Sequence, residues 1–182
     1  ILGYHEQDFK KTGSALDSAT SATSSWHVPL PTFLYNGNIS SWTWNGRRAT
    51  GSTDTALAAV YRYDLLNRLR NDSLRLRGST SWGAVSSMWQ TSYTYDGNGN
   101  IKTLYRGDAL SNQMDNLTYT YTSGTNKLTH VDDYQGASTG PDLGDQLANN
   151  YAYDASGNMT KDVTAGINAD GIVWTPYNKI RS

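Results

Sequence analysis

The stretch "TSYTYDGNGNIKTLYR", residues 91–106, reads as a strand, a reversal and a second strand. Tyr93 and Tyr95 are two residues apart, and residues i and i+2 of a strand share a face, so both rings point the same way. Asp96 follows directly, a residue whose side chain accepts hydrogen bonds from amides further along a turn. Gly99 supplies the positive φ that a tight reversal needs. From Ile101 the alternation resumes, with Ile101, Thr103 and Tyr105 on one side and Lys102 and Leu104 on the other.

Nearly the same phrase occurs three more times, as "AAVYRYDLLNRLRN" (58–71), "NLTYTYTSGTNKLTH" (116–130) and "NNYAYDASGNMTKD" (149–162). The pairs are Tyr61/Tyr63, Tyr93/Tyr95, Tyr119/Tyr121 and Tyr151/Tyr153, and they hold eight of the 13 tyrosines. Asp64, Asp96 and Asp154 follow their pairs, and Gly157 stands in the fourth unit where Gly99 stands in the second. "FLYNGNISSWTW" (33–44) and "GIVWTPYNKI" (171–180) read as partial copies, the latter with Trp174 in the tyrosine position. Such self-similarity marks a repeat architecture in which each unit buries its aromatic face only against a neighbour.

Composition agrees. Glu occurs once and Lys six times in 182 residues, while Ser, Thr, Asn, Gly and Tyr abound, so strand and turn formers outnumber helix formers. The expected fold is all-β: consecutive antiparallel hairpin repeats forming an arc of a spiralling sheet. Residues 32–182 would form this sheet, behind an irregular Ser/Thr-rich connector at 1–31. "STDTALAAV" (52–60) and "GPDLGDQLANN" (140–150) leave room for a helical turn each. The chain opens at Ile1 with no signal-peptide pattern and stops within a patterned run, so it reads as an internal stretch of a longer protein.

Several function classes fall away. Net charge is −1 with pI near 6.3, giving no field to draw nucleic acid or an anionic membrane. There is no Cys, hence no thiol chemistry. No apolar run approaches the roughly 18 residues of a membrane span. Asp96-Gly97-Asn98-Gly99-Asn100 opens like a calcium loop, but Ile101 and Gly107 stand where an EF-hand needs Gly and Glu, so a hairpin turn is the better reading. His130, Asp132 and Asp133 lack further ligands at a telling spacing, and no nucleophile turn or phosphate loop is present. No catalytic residue, cofactor or metal site is expected. Arg62, Arg68, Arg70, Arg75 and Arg77 form a basic stripe; it pairs with Asp64 and Asp72 on a solvated face, or offers Arg75 and Arg77 to a surface glycan. Trp42, Trp44, Trp82, Trp89 and Trp174 are expected to pack rather than to stack on sugars.

The form Tyr-x-Tyr-Asp-x-x-Gly-Asn/Arg-Leu/Ile, at 61–69, 93–101, 119–128 and 151–159, resembles the YD or Rhs repeat. The resemblance covers about residues 33–182. Asn67 in place of a turn Gly, Thr122 in place of Asp and one extra residue in the third turn depart from it. In bacterial Rhs proteins, toxin-complex C components and teneurins such repeats spiral into a hollow shell, which in the bacterial cases encloses a toxic C-terminal domain. The resemblance therefore implies a non-enzymatic structural segment of a secreted or cell-surface bacterial protein. Its partners would be the rest of its polypeptide and an encapsulated toxin domain. A glycan-binding adhesin module is the alternative.

Overall fold

The computed structural model describes residues 2–3, 34, 36–46, 55–78, 81–134 and 143–181. Most of the expected connector at 1–31 lies outside these residues. The exception is Leu2–Gly3 (β1), which pairs antiparallel with Ser41–Gly46 (β2).

The remaining strands are Thr55–Tyr63 (β3), Leu69–Arg77 (β4), Trp82–Tyr95 (β5), Ile101–Gly107 (β6), Gln113–Tyr121 (β7), Leu128–Asp133 (β8), Tyr151–Tyr153 (β9) and Met159–Asp162 (β10). Strands β2 to β8 follow chain order as a seven-strand antiparallel meander with β1 at its edge, and β9–β10 form a separate hairpin. The order is linear, and no pairing joins its two ends among the described residues. The fold is thus all-β. The two helical turns that the sequence allowed do not form in the described parts of those stretches: residues 55–60 belong to β3, and 143–150 are irregular. The apolar run Ala56–Val60 extends because it is buried on both faces, as in strands covered on each side.

The chain divides into two compact units, residues 1–92 with 107–112, and residues 93–106 with 113–182. In the first, Ala56, Ala58, Val60 and Trp82 form the apolar core, and Ala59 faces Leu74 on the opposite side of β3. In the second, Leu117 and Val131 are buried, and Val131 lies opposite Tyr119.

Three hairpins share one irregularity. The register slips between Arg62 and Tyr63, between Thr120 and Tyr121, and between Met159 and Lys161. In each, the return strand carries one extra residue opposite the second tyrosine: Arg70, Thr129 and Thr160 respectively. Such bulges sharpen the local twist and re-aim the side chains beyond them.

Candidate functional site

The repeated hairpin is the feature to build from. In the second unit of repeats, the Asp96 amide donates to the Asn100 carbonyl (2.9 Å) and the Gly99 amide to the Asp96 carbonyl (3.2 Å). Asp96 Oδ1 accepts from the amides of Asn98 and Asn100, both at 2.9 Å, and Oδ2 accepts from Asn100 Nδ2 at 2.8 Å. One carboxylate therefore satisfies most of the turn, while Gly99 takes φ +91° to close it. Asp154 repeats the arrangement with Asn158 and Gly157 (φ +89°). Asp64 does so with Leu66 and Arg68, whose guanidinium Nε lies 2.7 Å from Asp64 Oδ2.

These bonds stabilise the ionised form and hold all three carboxyls below their ordinary value. The Arg68 amide is the largest cause at Asp64, and the side-chain amides of Asn100 and Asn158 are the largest at Asp96 and Asp154.

The departures from the repeat keep the turn. Asn67 adopts φ +62° in the glycine position, as Asn tolerates better than most residues. At Thr122 no carboxylate is present. Instead Thr125 Oγ1 donates to the Thr122 carbonyl (2.9 Å) and accepts from the Lys127 amide (3.1 Å), while Gly124 takes φ +73°. The longer turn is closed by the Thr122 amide on the Lys127 carbonyl.

Sequence reasoning missed a further copy. Asp108 Oδ1 accepts from Leu110 and Asn112 amides at 2.8 Å each, Asn112 Nδ2 reaches Oδ2 at 3.0 Å, and Ser111 takes φ +69°. The Asn112 side chain likewise holds Asp108 below its ordinary value. The available signal was the Asp–Asn spacing of four, identical to Asp96/Asn100 and Asp154/Asn158; no tyrosine pair precedes it.

Successive hairpins are tied at two places. The second aromatic of a unit bonds the backbone at the first apolar residue of the preceding return strand. Tyr63 Oη donates to the Ile39 carbonyl (2.9 Å), Tyr121 Oη to the Ile101 carbonyl (2.9 Å), and Trp174 Nε1 to the Met159 carbonyl (2.8 Å). At Tyr153 burial raises the phenol, and the Leu128 backbone opposes it. Burial raises the phenols of Tyr61, Tyr63, Tyr119, Tyr121 and Tyr153 above 10.0. Tyr93 and Tyr95 lie on one face as expected, with ring centroids 6.4 Å apart and planes within 14°. Tyr151 Oη accepts from Gln146 Nε2 at 2.9 Å.

The second tie joins the turns through asparagine side chains. Asn36 and Asn38 both donate to Asn67 Oδ1 (2.5 and 3.1 Å), Asn98 and Asn100 to Asn126 Oδ1 (3.1 and 2.9 Å), and Asn158 to Asn178 Oδ1 (3.1 Å). A two-unit alternation underlies this pairing. Gly37-Asn38, Gly99-Asn100 and Gly157-Asn158 donate, while Asn67-Arg68, Asn126-Lys127 and Asn178-Lys179 accept.

Other polar groups serve the edges and the interior. Gln146 donates its amide to the Val131 carbonyl (3.1 Å) and accepts the Val131 amide on Oε1 (3.0 Å). Asp145 Oδ1 accepts from the Asp133 amide (2.6 Å). The outer edge of β8 is thereby occupied, which removes a template for strand pairing. Fully buried Asp115 pairs through Oδ2 with Arg106 Nε at 2.5 Å.

The chemical candidates separate. Arg75 donates to the Gly83 carbonyl (2.9 Å), and the Arg77 guanidinium stands 5.9 Å from the Trp82 ring centroid. Trp82 is buried as expected, whereas Trp42 and Trp89 are about half exposed. His130 lies 3.3 Å from Asp132, and the Asp133 side chain is buried and accepts the Asn116 amide. Among the described residues, no group of three or more His, Asp or Glu converges as a metal site. No protein-family model matches the chain, and no curated protein matches it.

Proposed function

We propose that this chain is a non-enzymatic structural segment of a secreted or cell-surface YD-repeat protein, part of a β-sheet shell that encloses or presents another polypeptide such as a C-terminal toxin. The observation that carries this reading is the recurring tie from Tyr63, Tyr121 and Trp174 to the backbone of the preceding hairpin. A bond that recurs from hairpin to preceding hairpin suits a continuing wall, and it engages the Tyr63 and Tyr121 hydroxyls in the sheet instead of on a ligand. The same holds for the carboxylates of Asp64, Asp96 and Asp154, each occupied by its own turn.

The decisive experiment expresses the complete reading frame that contains this stretch and images its product by electron cryomicroscopy. Further Tyr-x-Tyr hairpins wrapping a cavity that holds a second polypeptide are expected. Flanking sequence without such hairpins, or a particle with no cavity, would overturn the proposal.

A glycan-binding surface is the second reading, favoured by the exposed rings of Trp42 and Trp89. The engagement of Arg75 with Gly83 and of Arg77 with Trp82 weighs against it. Salt-sensitive retention on heparin that disappears in Arg75→Ser/Arg77→Ser would support this reading; unretained passage would remove it.

A further inference from the structure

Trp89 stands within strand β5 at a backbone φ of +54°, in the left-handed region that a bulky side chain rarely enters. The cause lies in the register. Asp72 pairs with Thr91 and Leu74 with Ser86, so residues 87–90 all stand opposite Ser73 and leave the ladder as a bulge.

Three features fix this bulge. The Met88 amide donates to Ser86 Oγ (3.1 Å), and the Trp89 amide donates to the Asp108 carbonyl (3.0 Å). Gly107 permits the close approach, since a Cβ there would lie 2.7 Å from the Ser87 carbonyl oxygen. Asp108 is itself held by its closed turn with Asn112. Bulge and turn belong to the same compact unit.

The result is an indole held outward. Trp89 is 51% exposed, and among the described residues its Nε1 donates to nothing. A left-handed backbone at a bulky residue and a large apolar ring in water both oppose folding, so stability alone accounts for neither. Trp42, also half exposed, has no such backbone strain, and its ring packs on Trp44 with centroids 4.9 Å apart.

The surroundings narrow the ligand. Strand β5 carries no charged side chain over its 14 residues. Asp108, the one charged residue of the anchoring turn, is engaged by that turn's own amides. Ser87, Gln90 and Ser111 add uncharged hydroxyl and amide groups in the same two segments, and Leu110 is exposed beside Ser111. An apolar ring face among neutral hydrogen-bonding groups matches a pyranose, which presents a C–H face bordered by hydroxyls.

We propose that Trp89 is the platform of a binding site for a neutral glycan. The indole face stacks on the C–H face of one sugar ring, Nε1 donates to a hydroxyl, and the bulge keeps the ring in place before the ligand arrives. This inference rests on the second reading, glycan binding, and moves its centre from Arg75 and Arg77 to β5.

The test follows the indole N–H signals of the full chain by NMR while four neutral probes are added in turn: gluco-, manno-, galacto- and chito-oligosaccharides. Trp89→Asn identifies the Trp89 signal and suits a left-handed backbone. That signal is expected to shift saturably with at least one probe. Trp89→Asn is expected to weaken the binding at least about tenfold, while Trp89→Tyr keeps part of it. The thermal midpoint of Trp89→Asn is expected to stay within about 2 °C, as for an ordinary surface substitution. No saturable shift with any probe overturns the site. A midpoint lower by more than about 6 °C also overturns it, since the ring would then be a packing element. A Trp89 shift produced by concentrating the protein without sugar assigns the ring to a second copy and overturns the glycan. Binding that survives Trp89→Asn but is lost in Trp42→Ala overturns this site and leaves the glycan reading standing. Absence of binding to every probe, with unretained passage on heparin, ends both.

Discussion

Tyr121 Oη lies 2.9 Å from the carbonyl oxygen of Ile101, twenty residues earlier in the chain, and donates a hydrogen bond to it from a half-buried position. The bond reaches from the end of one hairpin's first strand to the start of the previous hairpin's return strand. Tyr121→Phe is expected to cost about 1 kcal/mol, the usual net value of such a bond, read as a lower urea midpoint at unchanged slope. Tyr119 is the control, because its hydroxyl makes no hydrogen bond among the described residues. Tyr119→Phe should leave the midpoint within about 0.5 kcal/mol.

The turn carboxylates make stability depend on acid. Asp64, Asp96, Asp108 and Asp154 are all held below 3.8, so their contribution is full above the ordinary carboxylate value and is lost as pH falls through the depressed folded values. At the other limb, the buried phenols are raised above 10.0, so the unfolded chain ionises first and stability falls as pH climbs through the raised values. Urea midpoints followed across both ranges should trace a plateau with two falling arms. In Asp96→Asn/Asp154→Asn the acid arm should flatten while the alkaline arm stays.

Asn67 combines a left-handed backbone with two incoming side-chain bonds. Asn67→Gly keeps the conformation and loses only exposed bonds. Asn67→Ala loses both and carries the left-handed penalty, so it should be less stable than the Gly variant by roughly 1 kcal/mol. Equal thermal midpoints for the two would show that this turn tolerates another backbone conformation.

Gly107 is a position where a Cβ has no room. An ideal Cβ there would sit 2.7 Å from the Ser87 carbonyl oxygen, a backbone atom unable to swing away. Gly107→Ala should cost roughly 1–3 kcal/mol, as overpacking does. Gly97 meets nothing within 4 Å, so Gly97→Ala should be close to neutral. Calorimetric midpoints of the pair decide it.

Arg106→Met removes the partner of fully buried Asp115. A stranded buried carboxylate costs roughly 3–5 kcal/mol, with the lower end expected here because the arginine side chain is 36% exposed and water can reach it. Arg106→Met/Asp115→Leu should recover much of the loss in the same denaturation assay.

The hairpins were legible because their signals are local. Tyr-x-Tyr followed by Asp, and Gly99 or Gly157 three residues beyond that Asp, carry their own strand parity and turn chemistry, whatever surrounds them. The turn at Asp108 was equally local but was hidden by the expectation that a tyrosine pair must come first. Residues 55–60 were ambiguous for a different reason. "TALAAV" has no period to read, and only burial on both faces makes it a strand.

The four Tyr-x-Tyr hairpins and their consecutive antiparallel order could therefore be written down from the letters alone, since both depend on contacts between residues a few positions apart. The tie from Tyr121 to Ile101, the asparagine pairs, the closing of the β8 edge by Gln146 and the burial of Asp115 against Arg106 belong to the packed molecule. Each joins groups whose separation along the chain is arbitrary. Their energy comes from withdrawing a polar atom from water while giving it a partner, and an unpacked chain supplies neither half of that exchange.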